Sequence, residues 1–345
     1  MSNLRIDLEK RPASLLLFFV LVLAVMAFAL TLDRTFLMDQ QNYLALFREA
    51  PTLEWTTTFA EGGSFIKDLI VGLFSEEFLW HVWTTIFGYL LDPYTAVVVL
   101  VGALNGLIVL AAKKLPSPTL AIVLWIAIPV GLADIGLLQL RQGFAFAIML
   151  FVALRYSKPT LGAFIAAMVH TTFTVAFAFA FIGWMFRKQP ISALCAILIA
   201  AFAGAYGGGV LFDMFGGRRL LEYTASEGAT SLNYVFAGLI LVGPSVHWIL
   251  TSPLEARELF PERVLTSLAF IHVGATMFTI FSFFFFPLGA GRVGYLTELM
   301  LIPMLPALAL RRGRPLTLWV ASSVGLYLVY LVGESYLTGV YRVYS

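Results

Sequence analysis

Charge is what this sequence has least of. Only 12% of its 345 residues are Asp, Glu, Lys or Arg, whereas 60% are apolar. A soluble domain carries about 25% charged and 45–50% apolar residues, so this chain has too little polar surface to coat a globule in water. The net charge of +2 gives no basic footprint, which excludes a nucleic-acid partner. A cytosolic enzyme and a disordered chain are excluded by the same composition. Cysteine is nearly absent as well. Cys195 has no partner for an internal disulfide or a cysteine metal site, and its place in the apolar run 193–203 marks it as a small buried hydrophobe. The four histidines are too scattered for metal-ligand spacing, and no Asp-rich motif stands out, so neither metal nor cofactor is expected. No small-residue cleavage site follows the first apolar run, Ser14–Leu32, which therefore reads as a retained span. Internal repeats are missing, which weighs against a transporter built from inverted repeats.

What is present is a succession of long apolar runs, over 13–32, 94–112, 119–135, 137–154, 160–185, 190–206, 232–250, 265–287, 293–310 and 315–333. A spanning helix needs about 20 mostly apolar residues. The expected fold is all-α: a polytopic helical bundle of about ten membrane segments, one integral membrane domain over 1–345. Two polar stretches, 33–91 and 207–231, are expected as outer loops. The Trp- and Phe-rich piece Phe78–Tyr89 within the first belongs at the interface, where amphipathic rings collect. Such interfacial helices would cap an outer-face cavity. Basic residues set the orientation: Arg5, Lys10 and Arg11 place the N-terminus in the cytoplasm, and Lys113/Lys114, Arg155/Lys158 and Arg311/Arg312/Arg314 mark further inner corners. Arg187/Lys188 conflicts in parity with Arg155/Lys158. A broken hairpin over 160–185, bent near His170-Thr171-Thr172, resolves the conflict and leaves most of the 22 basic residues inside. A single span over 160–185 is the alternative.

Several polar side chains fall where they are costly. Arg141 opens a helix at Leu138-Gln139-Leu140-Arg141-Gln142-Gly143, with its N-terminus facing outward. Helix N-termini attract anions, and a guanidinium adds a planar fork matched to phosphate. Arg292 repeats the arrangement, entering a second outward-facing helix through the flexible turn Gly289-Ala290-Gly291. Together they make a candidate diphosphate clamp; alternatively each snorkels, or pairs with an acid such as Asp134. His170 lies mid-segment, as a proton carrier, a donor to a sugar hydroxyl or phosphate, or a packed imidazole. His247 and His272 are assigned structural roles. Asp39, Tyr43 and Phe47 share one face of a short helix; with Glu77 they offer carboxylates and rings to sugar, or simply cap the interface. Glu298 sits inside an apolar helix, paired or catalytic. Arg218 and Arg219, in a Gly-rich outer loop, meet either a second anionic group or headgroups. Phe281–Phe286 faces lipid, or lines a groove for an isoprenoid tail.

These pieces, in order, resemble the EpsG family of Wzy-type polysaccharide polymerases. The resemblance rests on Asp39…Tyr43…Phe47, Glu77-Phe78, Leu140-Arg141-Gln142-Gly143-Phe144-Ala145, His170 about thirty residues later, and Arg292-Val293-Gly294-Tyr295 with Pro303 beyond. Thr172 stands where the family often has Ser, and the first outer loop departs further. The resemblance implies a GT-C-like glycosyltransferase, independent of metal, in the bacterial inner membrane with its active site facing the periplasm. It would move a growing glycan from polyprenyl diphosphate onto a lipid-linked repeat unit. Arg141 and Arg292 would hold the diphosphate leaving group. His170 would serve the acceptor hydroxyl or the diphosphate. Gln142, Tyr295, Asp39, Tyr43, Glu77, Arg218 and Arg219 would line the substrate. Lipid-linked oligosaccharide, membrane lipid, a flippase and a chain-length regulator are the implied partners. His170, Glu77, Asp39 and Glu222 remain open as the base. A glycan ligase with the same donor is the runner-up, followed by a membrane O-acyltransferase and a transporter.

Overall fold

A computed structural model describes residues 12–32, 38–49, 77–215, 232–253, 260–311 and 315–337, and among these helices account for the secondary structure, with no strand. The helices gather into two compact units, the first drawn from residues 1–127 and 131–174, the second from 128–130 and 175–345.

The first unit contains α1 (Pro12–Thr31), α2 (Met38–Glu49), α3 (Phe78–Leu90), α4 (Pro93–Ala112), α5 (Pro118–Ala127), α6 (Leu140–Tyr156) and α7 (Pro159–Val169). Helix α4 starts where Asp92 accepts the Thr95 N–H at 3.0 Å and Pro93 fills the first helical position. Helix α6 packs along both α4 and α7. The tight link between α6 and α7 passes through Ser157 in the left-handed conformation, with Pro159 opening the next helix. Trp80, Trp125, Leu100, Leu104 and Phe146 are fully buried here.

The run 119–135 is not one straight span. Pro129 has no N–H to continue the helix, so α5 ends at Ala127 and a wide π-type turn follows over Val130–Ile135. Gly131 lets that turn fold back, since a Cβ there would lie 2.3 Å from the Trp125 carbonyl oxygen. Asn105, buried on α4, ties the corner together: its amide donates to the carbonyls of Val101 (3.0 Å) and Gly136 (3.2 Å) and accepts the Trp125 indole N–H at 3.0 Å. A satisfied buried network of this kind fixes one geometry, and it fixes the approach to α6.

The second unit contains α8 (Phe173–Met185), α9 (Pro190–Phe215), α10 (Leu232–Leu241), α11 (Gly243–Thr251), α12 (Glu262–Phe285), α13 (Pro287–Leu299), α14 (Leu301–Ala307), a 3-10 turn (Leu308–Arg311) and α15 (Pro315–Leu337). Helix α12 is its centre, packed on α9, α11 and α13. Phe202 and Tyr206 of α9 meet Phe281 and Phe285 of α12 edge-on at 5.5–5.8 Å. The phenylalanine run is thus divided, part in this seam and part, such as Phe284, exposed. His247 and His272 are buried against the hydroxyls of Thr317 (2.8 Å) and Ser245 (2.7 Å).

Six helical stretches among the described residues are long and apolar enough to cross a membrane: Ser14–Thr31, Pro93–Ala112, Pro190–Val210, Glu262–Phe285, Gly289–Arg311 and Leu316–Gly333. The chain is a multi-pass membrane protein by these criteria; the other four runs fall on shorter helices. Three expectations are corrected. Cys195 is exposed on α9, because an apolar run that faces lipid need not be packed against protein. Gly207–Phe215 is helix, not loop, because Gly209 lets α9 approach the Phe285 carbonyl. Gly289–Gly291 lies within α13, whose start is set two residues earlier by Pro287.

Candidate active site

The site is assembled in the first unit around the start of α6. Asp134 prepares that start. Its backbone carbonyl accepts the N–H groups of Leu138 (2.6 Å) and Gln139 (3.0 Å), and its carboxylate accepts the Gln139 amide at 3.0 and 3.2 Å. Gly143 allows the first turn of α6 to press on the preceding corner, since a Cβ there would lie 2.0 Å from the Ile135 carbonyl oxygen. No side chain at Gln139 caps the helix; instead the Tyr43 hydroxyl on α2 accepts the Arg141 N–H at 3.2 Å. Gln40 on the same helix donates its amide to the Leu137 carbonyl, so α2 is clasped to the turn that leads into α6.

Arg141 does not pair with Asp134. Its Nη1 donates to Glu77 Oε2 at 2.5 Å. The other Glu77 oxygen accepts the Thr171 N–H at 3.2 Å and lies 3.8 Å from His170 Nδ1. Glu77 is buried, precedes α3, and holds a left-handed backbone (φ 56°, ψ 52°). For a residue with a Cβ that conformation costs about 1–3 kcal/mol and persists only where surrounding contacts enforce it. His170 ends α7 in extended conformation (φ −149°, ψ 123°), so the helix breaks where the sequence places the bend. Its Nδ1 accepts the Thr172 N–H at 3.2 Å, which leaves the proton of the neutral ring on Nε2.

A cavity of about 400 Å³ opens beside this cluster. Arg141, His170, Gln142 and Tyr43 line it, joined by Asn42, Leu46, Trp80 and Gln139. Its volume falls in the usual range for small-molecule sites. A cation, an imidazole donor, three amides and two aromatic rings suit a ligand carrying both hydroxyls and negative charge. Among the described residues no three His, Cys, Asp or Glu side chains gather as a metal site.

The EpsG family model matches residues 16–340. The chain belongs to the EpsG family. That family comprises Wzy-type polysaccharide polymerases. No curated protein and no solved structure matches the chain.

Of the residues singled out in this EpsG-family chain, Arg141, His170, Glu77, Tyr43 and Gln142 meet in one place. Arg292 is exposed and Tyr295 half-buried on α13 of the second unit, and Glu298 is buried one turn further on. Arg218, Arg219, Glu222 and the side chain of Asp39 lie outside the described residues. Trp80, Asn42 and Gln139 were not legible as site residues. Trp80 follows Glu77 by three positions, and so sits one helical turn along the same face, but only its 5.7 Å edge contact with Tyr43 puts it at the cavity.

Proposed function

We propose that this EpsG-family protein is a polysaccharide polymerase that transfers a growing glycan from polyprenyl diphosphate onto a lipid-linked repeat unit, without a metal, at the periplasmic face of the bacterial inner membrane. The observation that carries the reading is the Glu77–Arg141–His170 cluster beside a polar cavity, in a chain the family model matches almost throughout.

In the transfer, the acceptor hydroxyl oxygen bonds to the anomeric carbon, and the bond from that carbon to the diphosphate oxygen breaks. The electron pair leaves with the diphosphate, and the hydroxyl proton passes to a base. Negative charge therefore grows on phosphate oxygens, and a fixed guanidinium stabilises it most where water is excluded. Arg141 is assigned that role, on a backbone held by Tyr43 and Asp134. His170, with Nδ1 engaged by Thr172, offers Nε2–H as a donor to a phosphate oxygen. Gln142, Asn42, Tyr43 and Trp80 are assigned to sugar, amides meeting hydroxyls and rings covering C–H faces. Arg292 and Tyr295 are assigned to the same leaving group on their motif alone. A flippase that delivers repeat units and a chain-length regulator are the proposed partners.

Reconstituted protein mixed with a polyprenyl-diphosphate oligosaccharide from its own host tests this directly, with product masses read in the presence of a chelator. A ladder rising by whole repeat units, with polyprenyl diphosphate released, is the expected result. Unchanged substrate from correctly folded protein would move a ligase, which needs a different acceptor, ahead of the polymerase.

A further inference from the structure

The function proposed above needs Arg141 to hold a diphosphate, yet Arg141 already has an anion. We infer that Glu77 is a built-in stand-in for the diphosphate: it holds Arg141 in place before the donor arrives and is exchanged for the donor's phosphate oxygens. Its role is that of a positioning residue rather than a catalytic one.

The geometry favours exchange over a permanent ion pair. Glu77 gives Arg141 one oxygen only and commits the other to the Thr171 N–H. A single-oxygen contact lacks the parallel two-bond fork that makes Arg–carboxylate and Arg–phosphate pairs strong. The guanidinium also keeps unused capacity, because its Nε is buried with no hydrogen-bond partner while the side chain as a whole is 43% exposed and lines the cavity. Leaving a buried donor unsatisfied is costly, so a ligand that satisfies it gains that cost back. A diphosphate entering the cavity brings more charge than one carboxylate and enough oxygens for both edges of the fork.

Glu77 is itself built to stay behind when Arg141 turns. Its position is held by the left-handed backbone at the start of α3, by burial, and by the Thr171 N–H. That last bond anchors the helix break that carries His170. After exchange the carboxylate therefore continues to fix His170 beside the diphosphate, so one side chain sets both partners of the leaving group.

The test uses inorganic diphosphate as the probe, titrated calorimetrically into the full-length protein in detergent, so it needs no glycosyl transfer. Glu77→Gln keeps the shape and removes the competing charge. It should bind diphosphate about tenfold more tightly than wild type, equivalent to about 1.4 kcal/mol, and Arg141→Ala should lose the binding. In the polymerisation assay Glu77→Gln should lower both KM and kcat, since the donor binds more readily while His170 is held less firmly. Glu77→Asp, one methylene shorter, should tighten binding by a smaller factor and carries the test if the Gln variant does not fold. Equal affinity in wild type and variants, or no diphosphate binding in any of them, overturns the exchange. Tighter binding in Glu77→Gln alongside a wild type that builds no polymer would keep the exchange and remove the polymerase.

Discussion

An arginine at the first turn of a helix is ordinary, and what makes Arg141 unusual is how many separate elements meet on it. Its N–H is taken by a phenol from α2, its guanidinium by a carboxylate ahead of α3, and its helix start is shaped by Asp134. Tyr43→Phe should therefore leave an orphaned backbone N–H and cost about 0.5–1.5 kcal/mol, read as a lower thermal midpoint in detergent with reduced polymer yield. Arg141→Ala should leave the protein inserted and reduce transfer by about 100-fold or more, the scale of losing one preorganised donor to a developing oxyanion; polymer at the normal rate would remove Arg141 from the chemistry. Arg141 and His170 were legible in the sequence because charged and ionisable groups are rare within apolar runs and stand out there. Glu77 was legible as a polar residue but not as their partner. It lies 64 residues from Arg141 and 94 from Thr171, and no periodicity links positions that far apart.

At the scale of elements, glycine and proline decide where helices run and where they stop. The triplet Gly207-Gly208-Gly209 reads as loop by composition, yet it is helix because α12 passes close by. A Cβ at Gly209 would lie 2.2 Å from the Phe285 carbonyl oxygen, whereas one at Gly207 would meet nothing within 4 Å. Gly209→Val should thus cost about 1–3 kcal/mol through overpacking, while Gly207→Ala should be neutral or stabilising by up to about 1 kcal/mol. Thermal unfolding of the two variants in the same detergent separates them, and equal behaviour would contradict the close approach. The start of α4 gives a pH-dependent prediction. Hydrogen bonds from the Thr95 hydroxyl and N–H hold the Asp92 carboxyl below its ordinary value of 3.8. A depressed carboxyl stabilises the folded state above that ordinary value, and the contribution is lost as pH falls through the lowered one. Protection factors for the first-turn amides of α4 should fall in wild type as pH drops through the lowered carboxyl value, whereas Asp92→Asn, which cannot titrate, should show lower protection at neutral pH and no such fall.

For the whole molecule the solvent is the organising fact. Helices α1 and α15 each have only 17% of their apolar window buried within the protein, against 67% for α12, so α1 and α15 owe their composition to lipid and α12 to packing. The proposed orientation is testable with an introduced thiol, once the exposed native one is removed. In a Cys195→Ser background, Ser226→Cys should react with an outside-only thiol reagent in intact cells. Labelling only after permeabilisation would invert the topology. What the sequence by itself determined is the class of protein and the identity of its costliest residues: composition selects the solvent, apolar runs reveal the helices, and a charge within such a run is visible wherever it falls. Tertiary structure alone decided that Arg141 is met by Glu77 and not Asp134, that the glycine triplet is helical, and that Cys195 is exposed. Each of those depends on which surface lies opposite a residue, and that is set by elements distant in the chain.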